Sequence, residues 1–292
     1  MQAIEELKTE LRINRELTEI VDALKVIAVT EFRELAEKRK QRYTVFLQAF
    51  AGFFRAIDFS SVQHPFAQDS AGKLVLIMLS SDERFMGGLN KRVVDTALTY
   101  PGADHAELAV VGIQGGDYLR SLKRQFTSFT DITSKKPYEA ALQLRQFILE
   151  TGLGGQAGRL VLVYPKPISF LVQTVEALPI LPCTELLFLE QRQQRRREVG
   201  HEAASEVLCD SSLTDLIEYL VGTWIAEKLL EVLEDCRQAE LSAKAVRLEE
   251  SYQTLLDTRR KLTHQYHRTH HEQLDKGMRE TFSAQIKRKA ES

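Results

Sequence analysis

The sequence predicts an α/β fold, with long N- and C-terminal helices forming an antiparallel coiled coil and a central Rossmann-like α/β domain. Three observations carry this expectation. All seven prolines of the 292-residue chain lie between Pro65 and Pro182. Both ends carry apolar residues at helical spacing, and the middle holds short β-branched apolar runs between helix-like stretches. Proline inside a helix removes a hydrogen bond and clashes with the preceding turn, at a cost of about 3 kcal/mol. The expected division is 1–60, the N-terminal coiled-coil helix; 61–200, the α/β domain; and 201–292, the C-terminal coiled-coil helix.

In the first stretch Leu7, Leu11, Leu17, Val21, Leu24 and Ala28 recur mostly at steps of three and four. Phe32, Leu35, Tyr43, Leu47, Phe50, Phe54 and Ile57 continue the stripe, and Glu, Lys and Arg fill the other positions. This is the pattern of an amphipathic helix. Continuous from about residue 3 to 58, it would run roughly 80 Å at 1.5 Å per residue. The proline-punctuated middle cannot cover a rod of that length, so its apolar face needs the other end of the chain or another protein.

In the middle, KLVLIMLS (73–80), ELAVVGI (107–113) and RLVLVYP (159–165) are near-continuous apolar runs, suited to strands buried on both faces. GGLNKRVVDTALTY (87–100) and KPYEAALQLRQFILETG (136–152) read as helices, and Gly152, Gly154, Gly155 and Gly158 as a loop. SFLVQTVEALPI (169–180) alternates weakly and reads as a further strand near an edge, given Pro179 and Pro182. The order β-α-β-α-β predicts a partly parallel sheet.

The C-terminal stretch opens with a broad apolar face: Leu213, Leu216, Ile217, Leu220, Trp224, Leu229, Val232, Leu233 and Cys236. Asp210 or Ser211 is the expected N-cap. A narrower stripe follows through Leu241, Ala245, Leu248, Tyr252, Leu255, Leu262 and Tyr266, extended by Leu274, Met278 and Phe282. The a/d-like spacing predicts that the two ends wind together. Arg259 and Thr269 interrupt it, so either the supercoil is irregular or part of the helix touches something else. A compact helical bundle is the alternative, but turn signals are sparse in both stretches, and isolated Gly222 and Gly277 are tolerated in helices.

A net charge of −2 points to neither nucleic acid nor a membrane surface as a direct partner. No window approaches the roughly 18 uncharged apolar residues of a membrane span. The start, MQAIEELKTEL, lacks the features of a signal or transit peptide. Cys183, Cys209 and Cys236 have neither metal-ligand spacing nor a disulfide pattern, which fits a reducing, cytosolic compartment. The basic run 191–205 has no interleaved aromatics and reads as a solvated linker.

Candidate chemistry is thin. SSDERFMGGLN (80–90) follows a predicted strand and precedes a predicted helix, so Gly87 and Gly88 could present N–H groups to a phosphate. It has no GxGxxG and no P-loop lysine, and a tight turn before a helix accounts for it. His264, His267, His270 and His271 recur at three and four, but no carboxylate or cysteine clearly completes a metal site, and a polar, partner-facing surface is the preferred reading. No nucleophile elbow supports Ser-His-Asp chemistry. The expectation is no catalytic residue, no cofactor and no metal.

Taken in order, the pieces resemble the gamma subunit of F-type ATP synthases over nearly the whole length. SSDERFMGGLNKRVV resembles the signature SDRGLCGGLN. RINRELTEIVDALKVIAVTEFRELA resembles an N-terminal pattern close to QKITKAMKMVAAAKLRKA, and EDCRQAELSAKAVRLEESYQTL resembles the C-terminal SEQAARMVAMKNATDN. The resemblance implies a central shaft of two terminal helices inside a ring of alpha and beta subunits that carry the nucleotide sites. It also implies an α/β domain seated on the c-subunit ring beside the epsilon subunit. Proton or sodium flow would turn ring and shaft and drive ATP synthesis, and hydrolysis would drive the reverse. The chain itself would be non-catalytic, peripheral on the cytoplasmic face of a prokaryotic plasma membrane, and attached through the complex only.

The departures from the pattern are specific. Glu83-Arg84-Phe85-Met86 replaces the usual Arg-Gly-Leu-Cys, while the Gly87–Gly88 pair, Leu89 and Asn90 are kept. Glu19, Asp22 and Glu31 make the usually basic N-terminal face partly acidic, and Lys25 sits where Lys or Glu is usual. Lys244 aligns with the arginine of the C-terminal motif, and Glu249 with a later lysine. These changes are similar to those of the divergent gamma subunits of alternate F-type ATPases, some of which pump sodium. By this alignment the expected partner contacts are Lys25, Arg84, Met86, Gly87, Gly88, Leu89, Asn90, Lys244 and Arg247. Two rivals make different predictions. A coiled-coil adaptor with an α/β docking domain predicts a symmetric homodimer, and a small nucleotide-binding enzyme predicts tight ATP binding at Gly87–Gly88.

Overall fold

The structure, a computed structural model, describes residues 2–56, 72–83, 86, 88–129, 137–153, 157–183 and 212–290. It divides into two compact units, Val29–Lys244 and Met1–Ala28 with Ala245–Ser292. Both terminal helices, α1 (Gln2–Ala56) and the last helix, contribute to both units.

In the unit Val29–Lys244 the sheet is centred on β1 (Lys73–Leu79). It pairs in parallel with β2 (Glu107–Val111) on one side and β4 (Ala157–Pro167) on the other. β3 (Thr127–Phe129) runs parallel to β2, and β5 (Gln173–Leu181) antiparallel to β4, giving the order β3-β2-β1-β4-β5. Side chains alternate across a strand. Val75, Ile77 and Leu79 therefore enter one core while Leu76 and Met78 enter the other. That two-sided burial explains why β1 reads as an unbroken apolar run.

Two helices cover each face. α2 (Leu89–Leu98) and α3 (Ile113–Ser121) bring Val93, Val94, Ala97 and Leu119 to Leu76 and Met78. On the opposite face α4 (Pro137–Leu153) supplies Ala141, Leu144 and Ile148, and α5 (Leu213–Ala290) supplies Leu220, Trp224, Ile225, Leu229 and Val232. The expected broad face of α5 is thus core, with Cys236 buried and Leu216 and Leu233 packed beside it. Its observed N-cap is Ser212, whose Oγ accepts from Asp215 N at 3.2 Å. Asp210 and Ser211 lie outside the described residues, as does the basic run 191–205.

The local differences from expectation have physical reasons. The strand expected over 107–113 stops at Val111, because Gly112 takes φ +94° and Ile113 starts α3. A Cβ on Gly112 would lie 2.2 Å from the Ser80 carbonyl oxygen, so glycine is required by close approach as well as by φ. IQGGDYLRS has weak intrinsic helix preference, and α3 and β3 do not stand out in the sequence. β5 begins at Gln173, later than expected, because 168–172 form a turn closed by Ile168 N donating to Val172 O at 2.9 Å. Gly152 lies in α4 and Gly158 in β4, not in a loop.

In the other unit, residues 2–28 of α1 run antiparallel to residues from 245 onward of α5. Asn14 Nδ2 donates to Leu255 O at 3.2 Å, and Lys25 meets Glu249 at 3.0 Å, so the numbering falls on one helix as it rises on the other. The seam on α1 follows the expected line at Leu7, Leu11, Val21 and Ala28 but departs from it at Leu17 and Leu24. Ile4, Asn14, Thr18 and Ala28 are buried, whereas Leu17 and Leu24 are 46% and 41% exposed. They belong to a neighbouring line with Ile13, Ile20 and Ile27, all exposed. Both lines have steps of three and four, and only the partner helix selects between them. On α5, Leu248, Tyr252, Leu255, Leu262 and Tyr266 are half-buried, while Leu274, Met278 and Phe282 are exposed. Among the described residues no helix is long and apolar enough to cross a membrane.

Candidate functional site

In open α/β sheets, ligands usually bind beyond the carboxyl ends of the strands, where the strand order reverses. Here that place lies at the end of β1, where the loop 80–90 begins. There the loop bonds to the start of α3. Ser80 Oγ donates to Val111 O at 2.7 Å and accepts from Gly115 N at 3.0 Å. Asp82 Oδ1 accepts from Ile113 N at 2.9 Å, and Ser81 O accepts from Gln114 N at 3.1 Å. The leading N–H groups of α3 are therefore all engaged. A carboxylate is the favoured group at a helix N-terminus, and a phosphate arriving there would have to displace Asp82.

The same loop is pinned from the α2 side. Asn90 Oδ1 accepts from Ser81 N at 2.9 Å, Leu89 N donates to Met86 O at 3.1 Å, and Gly88 caps α2 at φ +83°. Met86 and Leu89 are buried against Ala239 and Ala243 of α5, small residues that let the loop approach closely. Met86, Leu89 and Asn90 thus fasten the loop from within, while Gly88 is exposed. Arg84 and Gly87 lie outside the described residues.

Charges continue this attachment. Lys244 Nζ lies 3.0 Å from Glu83 Oε2. Arg237 reaches Glu83 at 3.5 Å, Glu31 of α1 at 3.3 Å and Glu240 at 3.6 Å. Burial raises the Glu83 carboxyl, but Lys244 and Arg237 outweigh it and hold the group below its ordinary value. The turn 168–172 also meets α5: Ser242 Oγ donates to Phe170 O and accepts from Gln173 Nε2, and the Phe170 ring stands edge-on to Phe32 at 5.0 Å.

Lys25 and Arg247 belong to the helix pair. Lys25 bridges Asp22 at 2.9 Å and Glu249 at 3.0 Å and lies 4.4 Å from the centre of the Tyr252 ring. The hydrogen bonds to Asp22 and Glu249 raise its pKa. Arg247 is exposed and pairs with Glu250 at 2.6 Å, one turn away. On the same helix Tyr266 stacks on His270 and meets His267 edge-on. Among the described residues no group of three or more His, Cys, Asp or Glu is placed to hold a metal.

Sequence reasoning did not single out Glu83, Arg237 and Glu240 as a group. The available signal was Glu83 itself, an acid where the resembled signature has arginine, together with the cations later in the chain.

Comparison with known proteins covers the whole arrangement. A family model described as ATP synthase matches residues 3–284. The chain is similar to the ATP synthase gamma chain of Trichlorobacter lovleyi, 21% identical over 280 residues and covering 92% of each chain. It is 24% identical over 282 residues to the ATP synthase gamma chain of Bacteroides thetaiotaomicron, covering 92% of this chain and 94% of that one. Among solved structures it resembles a chain of the mitochondrial ATP synthase of Euglena gracilis (OSCP, F1 and c-ring, rotational state 3). The TM-score is 0.64 at 15% identity, covering 98% of this chain and 94% of the other.

Proposed function

The chain belongs to the ATP synthase family, among its gamma chains, and from that premise we propose that it works as the central rotor shaft of an F-type ATP synthase. The observation that carries this reading is the single match from residue 3 to 284, which takes in both terminal helices and the α/β domain together. The shaft stands within the ring of alpha and beta subunits, and the α/β domain sits on the c-subunit ring beside the epsilon subunit. Proton or sodium flow turns the c ring and shaft, and the asymmetric shaft drives the beta subunits through their states. Run backwards, ATP hydrolysis drives ion pumping.

In this role the chain transmits torque and performs no chemistry. The start of α3 supports that, because its leading N–H groups are already bonded to Asp82 and Ser80 of the chain itself. The exposed line Ile13, Leu17, Ile20, Leu24 and Ile27 supports it from the other unit, as apolar surface for an enclosing ring to cover. Of the residues marked by the family pattern, Gly88 is exposed, and so is Arg247, which pairs with Glu250 on its own helix. Met86, Leu89 and Asn90 act by holding the loop that carries Arg84 and Gly87. Lys25 and Lys244 meet the beta subunits only by sharing carboxylates they already hold. The complex holds the chain at the cytoplasmic face of a prokaryotic plasma membrane.

Co-expression with the alpha and beta subunits of its own organism tests this. The expected result is one copy of the chain in a complex with ATPase activity. A chain that ignores both subunits, or forms a symmetric homodimer in their presence, overturns it.

A further inference from the structure

The unit Val29–Lys244 contains a cavity of about 100 Å³ between the loop after β1 and α5. Its walls from α1, β1, β2 and α4 are apolar: Leu35, Leu79, Val111 and Ala140. The loop contributes Asp82 and Glu83 as its charged groups, and α5 contributes Glu234, Cys236, Arg237 and Glu240. Outside the wall, Glu31 of α1 and Lys244 of α5 reach the same charges. Among the described residues lining the cavity none is a histidine.

Glu240 is 8% exposed and lies at the centre of a contest for one cation. Arg237 Nη1 stands 3.5 Å from Glu83 Oε1 and 3.6 Å from Glu240 Oε2, while Nη2 faces Glu31 at 3.3 Å. Charge-assisted hydrogen bonds between such groups close to about 2.7–2.9 Å, so Nη1 is engaged fully by neither Glu83 nor Glu240. With every carboxylate ionised, Glu31, Glu83 and Glu240 outnumber Arg237 and Lys244. Removing one negative charge relieves that excess.

We propose that Glu240 is an internal proton-binding site that governs the grip of Arg237. With the proton bound, Arg237 closes on Glu83 and Glu31 and clasps the loop and α1 to α5. With the proton released to solvent, the Glu240 carboxylate competes for the same amino group and the clasp loosens. Burial pushes the Glu240 carboxyl up to about 7, against the pull of Arg237 and the Ser81 hydroxyl and with the push of Glu83. Its ordinary value is 4.5, so the folded chain holds this proton more tightly than the unfolded chain. The stability this brings is complete below that ordinary value and is lost as pH rises through about 7. Cys236, the thiol lining the same cavity, stays neutral because burial raises its pKa well above the ordinary value. The proposal rests on the chain's own contacts and stands independently of the assembly it joins.

Hydrogen–deuterium exchange of the full chain tests it, with rates corrected for the intrinsic pH dependence of amide exchange. Between about pH 6 and about pH 8, protection of residues 80–90 is expected to fall about threefold in the unaltered chain, with a midpoint near 7. Glu240→Gln, neutral at every pH, is expected to stay protected with a flat profile. Arg237→Gln is expected to lie unprotected at both ends. A flat profile in the unaltered chain overturns the proposal without any variant, and so does a Glu240→Gln profile that falls like the unaltered one.

Discussion

One helix, α5, is used in opposite ways by the two units. From Leu220 to Ala245 it is buried on most sides, and even Glu234, Asp235, Gln238 and Ser242 are covered. Beyond Ala245 it is half-buried along one line and exposed elsewhere, with pairs such as Arg268–Glu272 spaced one turn apart on its surface. The first stretch owes its stability to sheet and helix packing; each fully buried large apolar side chain contributes about 1.5–3 kcal/mol. The second depends on its own backbone hydrogen bonds and a seam that includes Asn14, Thr18 and Lys25. A rotor shaft needs both firm packing and surface left for others to cover.

Three substitutions would break or sharpen this contrast. The largest effect is expected from Trp224→Ala, which empties a buried position among Leu220, Ile225 and α4. Its cost is about 3–5 kcal/mol, read as a lower urea midpoint for the unit Val29–Lys244. The seam should respond with the opposite sign. Asn14 Oδ1 is buried without a hydrogen-bond partner, so Asn14→Leu is expected to stabilise the helix pair by about 1 kcal/mol, read as a higher thermal midpoint of its helical signal. A loss of stability instead would mean that the bond to Leu255 O matters more than the stranded oxygen. The smallest change is expected from Lys25→Met, because its partners Asp22 and Glu249 are about half-exposed and such pairs are weak and screened by salt. The difference from the unaltered chain should shrink further in high salt, as followed by the same thermal melt.

Much of the fold was legible because its signals are local. The proline map and the apolar period mark α1 and α5 almost end to end, and KLVLIMLS reads as a strand because both its faces are buried. α3 was not legible, since IQGGDYLRS folds as a helix through its approach to Ser80 and Asp82 rather than through propensity. The loop residues were visible as a motif, but their work was not. Met86 and Leu89 look like partner contacts in a string and prove to be core only because Ala239 and Ala243, some 150 residues later, pass over them.

By itself the sequence determined where α1, α2, α4, α5 and the strands β1, β2, β4 and β5 run, since backbone preference and hydrophobic period are properties of neighbouring residues. It also carried the family likeness. Only the tertiary structure decided which of two equally periodic lines on α1 becomes the seam, and that the start of α3 is capped by the chain's own carboxylate. It alone placed Arg237 between three carboxylates from different elements. These outcomes depend on which surfaces meet across long separations, and no local period encodes that choice.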